Sequence, residues 1–99
     1  HLGANIENAA YPEGLCAEAV ALAHLVMAGG RRVMAAAVVA DSAQPITPCG
    51  GCRQKLREFA GGQAPVLSGA VAADGGAVLR QRATMAELLP HSFGPEHLG

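Results

Sequence analysis

Leu15-Cys16-Ala17-Glu18-Ala19 and Thr47-Pro48-Cys49-Gly50-Gly51-Cys52-Arg53-Gln54 together hold all three cysteines of the chain and one carboxylate placed to work beside them. Each stretch sits where a helix should begin, so its thiolates face the partial positive charge of unpaired backbone N–H groups. Cys49 and Cys52 are three residues apart, a spacing that lets both sulfurs project from one helix face toward one point. Three protein ligands with a fourth position left for water are the pattern of a catalytic zinc site, whereas structural zinc usually takes four protein ligands. Cys16, Cys49 and Cys52 are therefore the expected ligands of one Zn²⁺, and Glu18 the expected proton carrier. Read alone, Glu18 is an acidic residue that simply suits a helix N-terminus; the neighbouring cysteines change that reading.

Outward from this core the chain reads as α/β. Pro12-Glu13-Gly14 turns the chain, residues 15–28 form a helix, and Gly29-Gly30 ends it. Val20, Leu22, Leu25, Val26 and Met27 make that helix apolar nearly all round, which predicts burial both on a sheet and against another subunit. Residues 33–40, Val-Met-Ala-Ala-Ala-Val-Val-Ala, form an unbroken apolar run expected to be a central strand covered on both faces. A loop over 41–46 follows. Thr47-Pro48 then reads as an N-cap with proline at the first helical position, and the second helix runs through Leu56 and Phe59 to Gly61-Gly62. Residues 66–72 and 77–82 flank Asp74-Gly75-Gly76 and pair as an antiparallel hairpin. Thr84-Met85-Ala86-Glu87 fits a capping box that opens a short helix closed by Pro90. The tail from His91 has too little periodicity to assign.

With 99 residues the chain is one domain at most, and a bound metal would help a core of this size. It opens on His1, and Gly3-Ala4-Asn5 reads like the end of a strand, so residues 1–99 are expected to be a single domain that begins upstream. The composition is 51% hydrophobic but only 3% aromatic, with a net charge of −1. That balance offers neither the basic footprint nor the stacking platforms that polynucleotide binding needs. No run reaches the roughly 18 apolar residues of a membrane span. Three cysteines cannot all pair within one chain, and Cys49-x-x-Cys52 suits metal or redox chemistry in a reducing, cytoplasmic setting.

Zinc lowers the pKa of a bound water to about 7, which makes hydroxide available at neutral pH. A carboxylate beside it, not bound to the metal, can take that proton and deliver it to a substrate nitrogen and then to a leaving amine. Hydrolytic deamination needs those steps. Cys16-x-Glu18 followed by Pro48-Cys49-x-x-Cys52 matches the zinc deaminase pattern of a first ligand two residues before the Glu and a later Pro-Cys-x-x-Cys.

On these motifs, and on Asn5-Ile6-Glu7-Asn8, Leu88-Leu89-Pro90 and Phe93-Gly94-Pro95-Glu96, the sequence resembles the small homotetrameric zinc-dependent cytidine deaminases along nearly its whole length. The resemblance implies a three-layer αβα sandwich with a mixed sheet, the family's N-terminal helix and first strands being absent from these residues. It implies deamination of cytidine and deoxycytidine by zinc-bound hydroxide attacking C4, with Glu18 shuttling the proton. Asn5 and Glu7 are implied to hold the ribose, although on composition alone residues 5–8 read as a solvated loop. Ala17 is implied as a backbone partner of the pyrimidine. Phe93 is implied to reach a neighbouring subunit's site.

One departure stands at the metal. Many members with three cysteine ligands carry Arg directly after the shuttle Glu, where this chain has Ala19. Three thiolates on one Zn²⁺ leave the site at −1, so compensation is expected from the helix N-termini and from Arg53. Blasticidin S deaminases also lack that Arg, which keeps a blasticidin-type or other aminopyrimidine substrate open. Two other classes stay open on the residues alone: a thioredoxin-like dithiol at Cys49-x-x-Cys52, and a noncatalytic zinc-stabilised module drawing a fourth ligand from His24, His91 or His97.

Overall fold

The computed structural model describes residues 1–42 and 44–98; Ala43, in the loop expected over 41–46, lies outside the described residues. The chain divides into two compact units, His1–Arg32 and Val33–Gly99.

The first unit is built on helix α1 (Ala17–Met27), with Cys16 as its N-cap residue and Ala28 as its C-cap. Its end is a Schellman motif: the Gly30 N–H donates to the Leu25 carbonyl at 2.8 Å and the Gly29 N–H to Val26 at 3.0 Å. Gly29 adopts φ 87°, open to glycine at little cost. Ahead of α1, Ile6 and Leu15 form an antiparallel bridge through a pair of backbone hydrogen bonds of 2.9 and 2.8 Å. Residues 3–5, expected to end a strand, carry no strand; the bridge begins just after them at Ile6. A short 3-10 turn (Tyr11–Glu13) carries the chain between its two sides.

The second unit contains a mixed sheet in the order β1 (Ala36–Ala40), β2 (Pro65–Val71), β3 (Ala77–Thr84). β1 runs parallel to β2, with Ala36 opposite Val66 and Ala40 opposite Ala70. β2 and β3 are antiparallel, with a bulge between Ser68 and Gly69. The turn between them uses Asp74 as expected, its Oδ1 accepting from the Gly76 N–H at 2.9 Å. The expected central strand is corrected on two counts. It is shorter than residues 33–40, since Val33 makes only an isolated parallel bridge to Ala60. Among the described residues it is also an edge strand with alternating partial exposure, because β2 takes the hydrogen bonds of both neighbours.

Helix α2 (Gly50–Phe59) begins at Cys49, not at Thr47. The Thr47 hydroxyl instead accepts from Arg53 Nη2 at 2.8 Å, and the Pro48 carbonyl accepts from Arg53 Nε at 2.7 Å. Both groups are thereby held outside the helix. Cys52 and Leu56, four residues apart, form the buried stripe of α2, and Val66, Ser68 and Ala70 form the buried face of β2. Helix α3 (Met85–Leu88) has the complete capping box, the Thr84 N–H donating to Glu87 Oε1 and the Glu87 N–H to Thr84 Oγ1. Its first amides bond back to Ala64 and Gly62. The tail ends in a 3-10 turn (Pro95–Leu98).

Leu56 is 4% exposed on the helix that carries two of the cysteines. Leu56→Ala is expected to destabilise the fold by about 2–5 kcal/mol in denaturant titration, whereas Glu58→Ala on the exposed side stays within about 0.5 kcal/mol.

Candidate metal centre

In the first unit, the Ile6–Leu15 bridge ties the Asn5-Ile6-Glu7 run to the start of α1. Side chains two apart on an extended segment share a side, and Asn5 Nδ2 donates to Glu7 Oε1 at 3.3 Å on the exposed surface. Asn8 closes the following turn by accepting from the Ala10 N–H at 2.8 Å. Cys16 is exposed at the N-cap; Ala17 and Glu18 are the first two helical residues, both partly buried. The first turn's backbone N–H groups favour negative charge at Cys16. Four residues expected at the site, Asn5, Glu7, Ala17 and Glu18, thus lie on two backbone segments joined by paired hydrogen bonds.

In the second unit, Cys49 is the exposed N-cap of α2 and Cys52 lies fully buried in its first turn. Their sulfurs are within 4.8 Å of one another. Two zinc–sulfur bonds of about 2.3 Å at a tetrahedral angle place sulfurs about 3.8 Å apart. The pair therefore fits a soft, four-coordinate metal. Arg53 is anchored by three oxygens: Thr47 Oγ1, the Pro48 carbonyl and, at 2.8 Å from Nη1, the Leu88 carbonyl. It fixes the loop that delivers Cys49 and joins it to the end of α3, so a permanent positive charge sits in the turn following Cys49.

The tail places Phe93 58% exposed, with its ring stacked on His97, centroids 5.2 Å apart. Its carbonyl accepts from Gln54 Nε2 at 2.9 Å. Beside it Arg57 pairs with Glu96 and donates from Nε to Ser92 Oγ at 2.8 Å. The Glu96 carboxyl is held below its ordinary value, first by its own backbone N–H and next by Arg57. A folded pKa below the unfolded one means that the ion pair contributes above the unfolded value, and that its contribution disappears as pH falls through the folded one. Sequence reasoning missed Gln54, Arg57 and Ser92, because each acts on a residue 35 or 39 positions away. No local spacing signals such a pairing.

Residues 1–68 match the cytidine and deoxycytidylate deaminase zinc-binding region. The chain is 43% identical over 96 residues to the cytidine deaminase of Sporosarcina psychrophila, covering 97% of this chain and 67% of that protein. It is equally similar to the cytidine deaminase of Halalkalibacterium halodurans, covering 69% of it. Among solved structures, the cytidine deaminase of Burkholderia pseudomallei superimposes with a TM-score of 0.76 at 36% identity, over 92% of this chain and 69% of that one. The chain belongs to the cytidine and deoxycytidylate deaminase family, and spans about two thirds of the length of these relatives. Zinc is accordingly its metal, and the α/β fold with a mixed sheet is the family's. No described helix is long and apolar enough to cross a membrane.

Arg53→Met removes three hydrogen bonds from the loop carrying Cys49, and is expected to lower zinc affinity about 10–100-fold. Competition with a chelator measures this; retention equal to the parent protein's would contradict the supporting role.

Proposed function

We propose that this chain carries out zinc-dependent hydrolytic deamination of cytidine and deoxycytidine to uridine and deoxyuridine, with one zinc per chain held by Cys16, Cys49 and Cys52. Family membership supports the activity. The observation that carries the site is Glu18 in the first turn of α1, two residues after Cys16, in a chain that also brings Cys49 and Cys52 together at the start of α2. When bound, zinc supplies a water whose pKa is lowered to about 7. Glu18, kept off the metal, would accept one proton from that water and give it to the pyrimidine ring nitrogen, then accept the second from the new C4 hydroxyl and give it to the departing amine, so that the water's oxygen stays as the carbonyl and ammonia leaves. Asn5 and Glu7 hold the ribose hydroxyls; their side chains lie on the same side of the segment and hydrogen-bond to each other. Ala17 offers backbone groups to the base.

Arg53 and the helix N-termini offset the negative thiolate set in place of the Arg that Ala19 replaces. Ala19 also favours a second reading, in which the substrate is a blasticidin-type aminopyrimidine. Residues 1–99 belong to a single deaminase domain in the cytoplasm, without nucleic-acid or membrane partners. It works as a homotetramer in which Val26 and Met27 of α1, exposed by 51% and 86%, are covered by other copies. Phe93 then contributes to a neighbour's pocket.

Glu18→Gln keeps the shape of the side chain but accepts no proton. It is expected to retain zinc while turnover of cytidine falls by about 10²–10⁴-fold or more. Steady-state rates beside elemental analysis of the same preparation test this, and near-parental turnover would remove Glu18 from the reaction.

A further inference from the structure

Gln54 and Arg57, three residues apart, share a face of α2 and grip one short stretch of tail. Arg57 Nε donates to Ser92 Oγ at 2.8 Å, Gln54 Nε2 donates to the Phe93 carbonyl at 2.9 Å, and the Arg57 guanidinium pairs with the Glu96 carboxylate. Between these points the Gly94 N–H donates to His97 Nδ1 at 2.9 Å, and the His97 ring lies against Phe93. Gly94 is buried where a Cβ would meet the Arg57 guanidinium, so the Arg57 side chain lies directly against the Gly94 backbone. The chain enters the stretch through His91 at φ 52°, a left-handed conformation uncommon outside glycine that surrounding contacts must hold. The backbone of Phe93 is thus fixed from both sides while its ring stays exposed.

We propose that Arg57, with Gln54, is a positioning residue that sets the direction in which Phe93 is presented to the nucleoside pocket. The Arg57 side chain is only 17% exposed and spends its donors on tail oxygens four residues apart in sequence, at Ser92 and Glu96. Two anchors bracketing Phe93 restrict its Cα more than one would. The proposal rests on the reading of Phe93 as a pocket residue.

Steady-state kinetics with cytidine on the zinc-loaded parent enzyme, Arg57→Gln, Phe93→Ala and the double variant test it. Arg57→Gln is expected to raise KM about fivefold, the scale of one surface ion pair, with kcat and zinc content unchanged. Arg57→Lys, which keeps a cation for Glu96, recovers part of the loss. In the Phe93→Ala background Arg57→Gln adds nothing. An equal rise in both backgrounds, or no rise in either, overturns the positioning role. A parental KM for Phe93→Ala overturns the pocket reading itself and this proposal with it, a pattern distinct from an equal rise. Should Arg57→Gln fail to fold, Gln54→Ala removes the hold on the Phe93 carbonyl alone, and a parental KM there also overturns the proposal.

Discussion

Thiolates that share one metal ion repel one another, and a backbone that already holds them in place lowers the cost of bringing them together. Zinc–sulfur bonds of about 2.3 Å leave little latitude in where those sulfurs sit. On the proposed ligand set, that mounting is Cys16 and Cys49 as N-cap residues and Cys52 in the first turn of its helix. A helix N-terminus is both a rigid mount and a source of positive partial charge. Most of the remaining structure can be understood as holding those helix starts in place.

For α2 the holding is done from two ends. Arg53 binds oxygens of Thr47, Pro48 and Leu88, which locks the incoming loop to α3. Burial of Leu56 and Ala60 fixes the rest of the helix in its own unit. The capping box at Thr84 and the amide bonds from Met85 and Ala86 to Ala64 and Gly62 in turn fix α3. For α1 the corresponding devices are the Ile6–Leu15 bridge before the helix and the Schellman motif after it. Helix starts that are anchored this way need little reorganisation to bind a metal or to keep a shuttle carboxylate in register.

What the sequence revealed in advance tracks how local each cause is. The end of α1 at Gly29-Gly30, the Asp74-Gly75-Gly76 turn and the Thr84 capping box are decided within a few residues, and all three appear where expected. The start of α2 was displaced because the Thr47 hydroxyl, free to cap on sequence grounds, is taken by Arg53. The Ala-rich run over 33–40 carries no period that separates an edge from a central strand, and its place depends on β2, some thirty residues later. The tail is the extreme case: Phe93-Gly94-Pro95-Glu96 was visible as a motif, but the Arg57 and Gln54 side chains that fix it lie 39 residues earlier. The placement of Cys16, Glu18, Cys49 and Cys52 at two helix starts was legible, because each placement is decided within a single turn; the roles of these residues belong to the proposal.

The central claim is a zinc ion bound by three sulfurs with one position left for water. X-ray absorption at the zinc edge of the metal-loaded protein measures that ligand set directly. Three sulfur neighbours at about 2.3 Å and one oxygen at about 2.0 Å are expected, the oxygen replaced or perturbed when a pyrimidine nucleoside analogue is added. A shell of four protein ligands, whether a fourth sulfur or an imidazole from His24, His91 or His97, would contradict it.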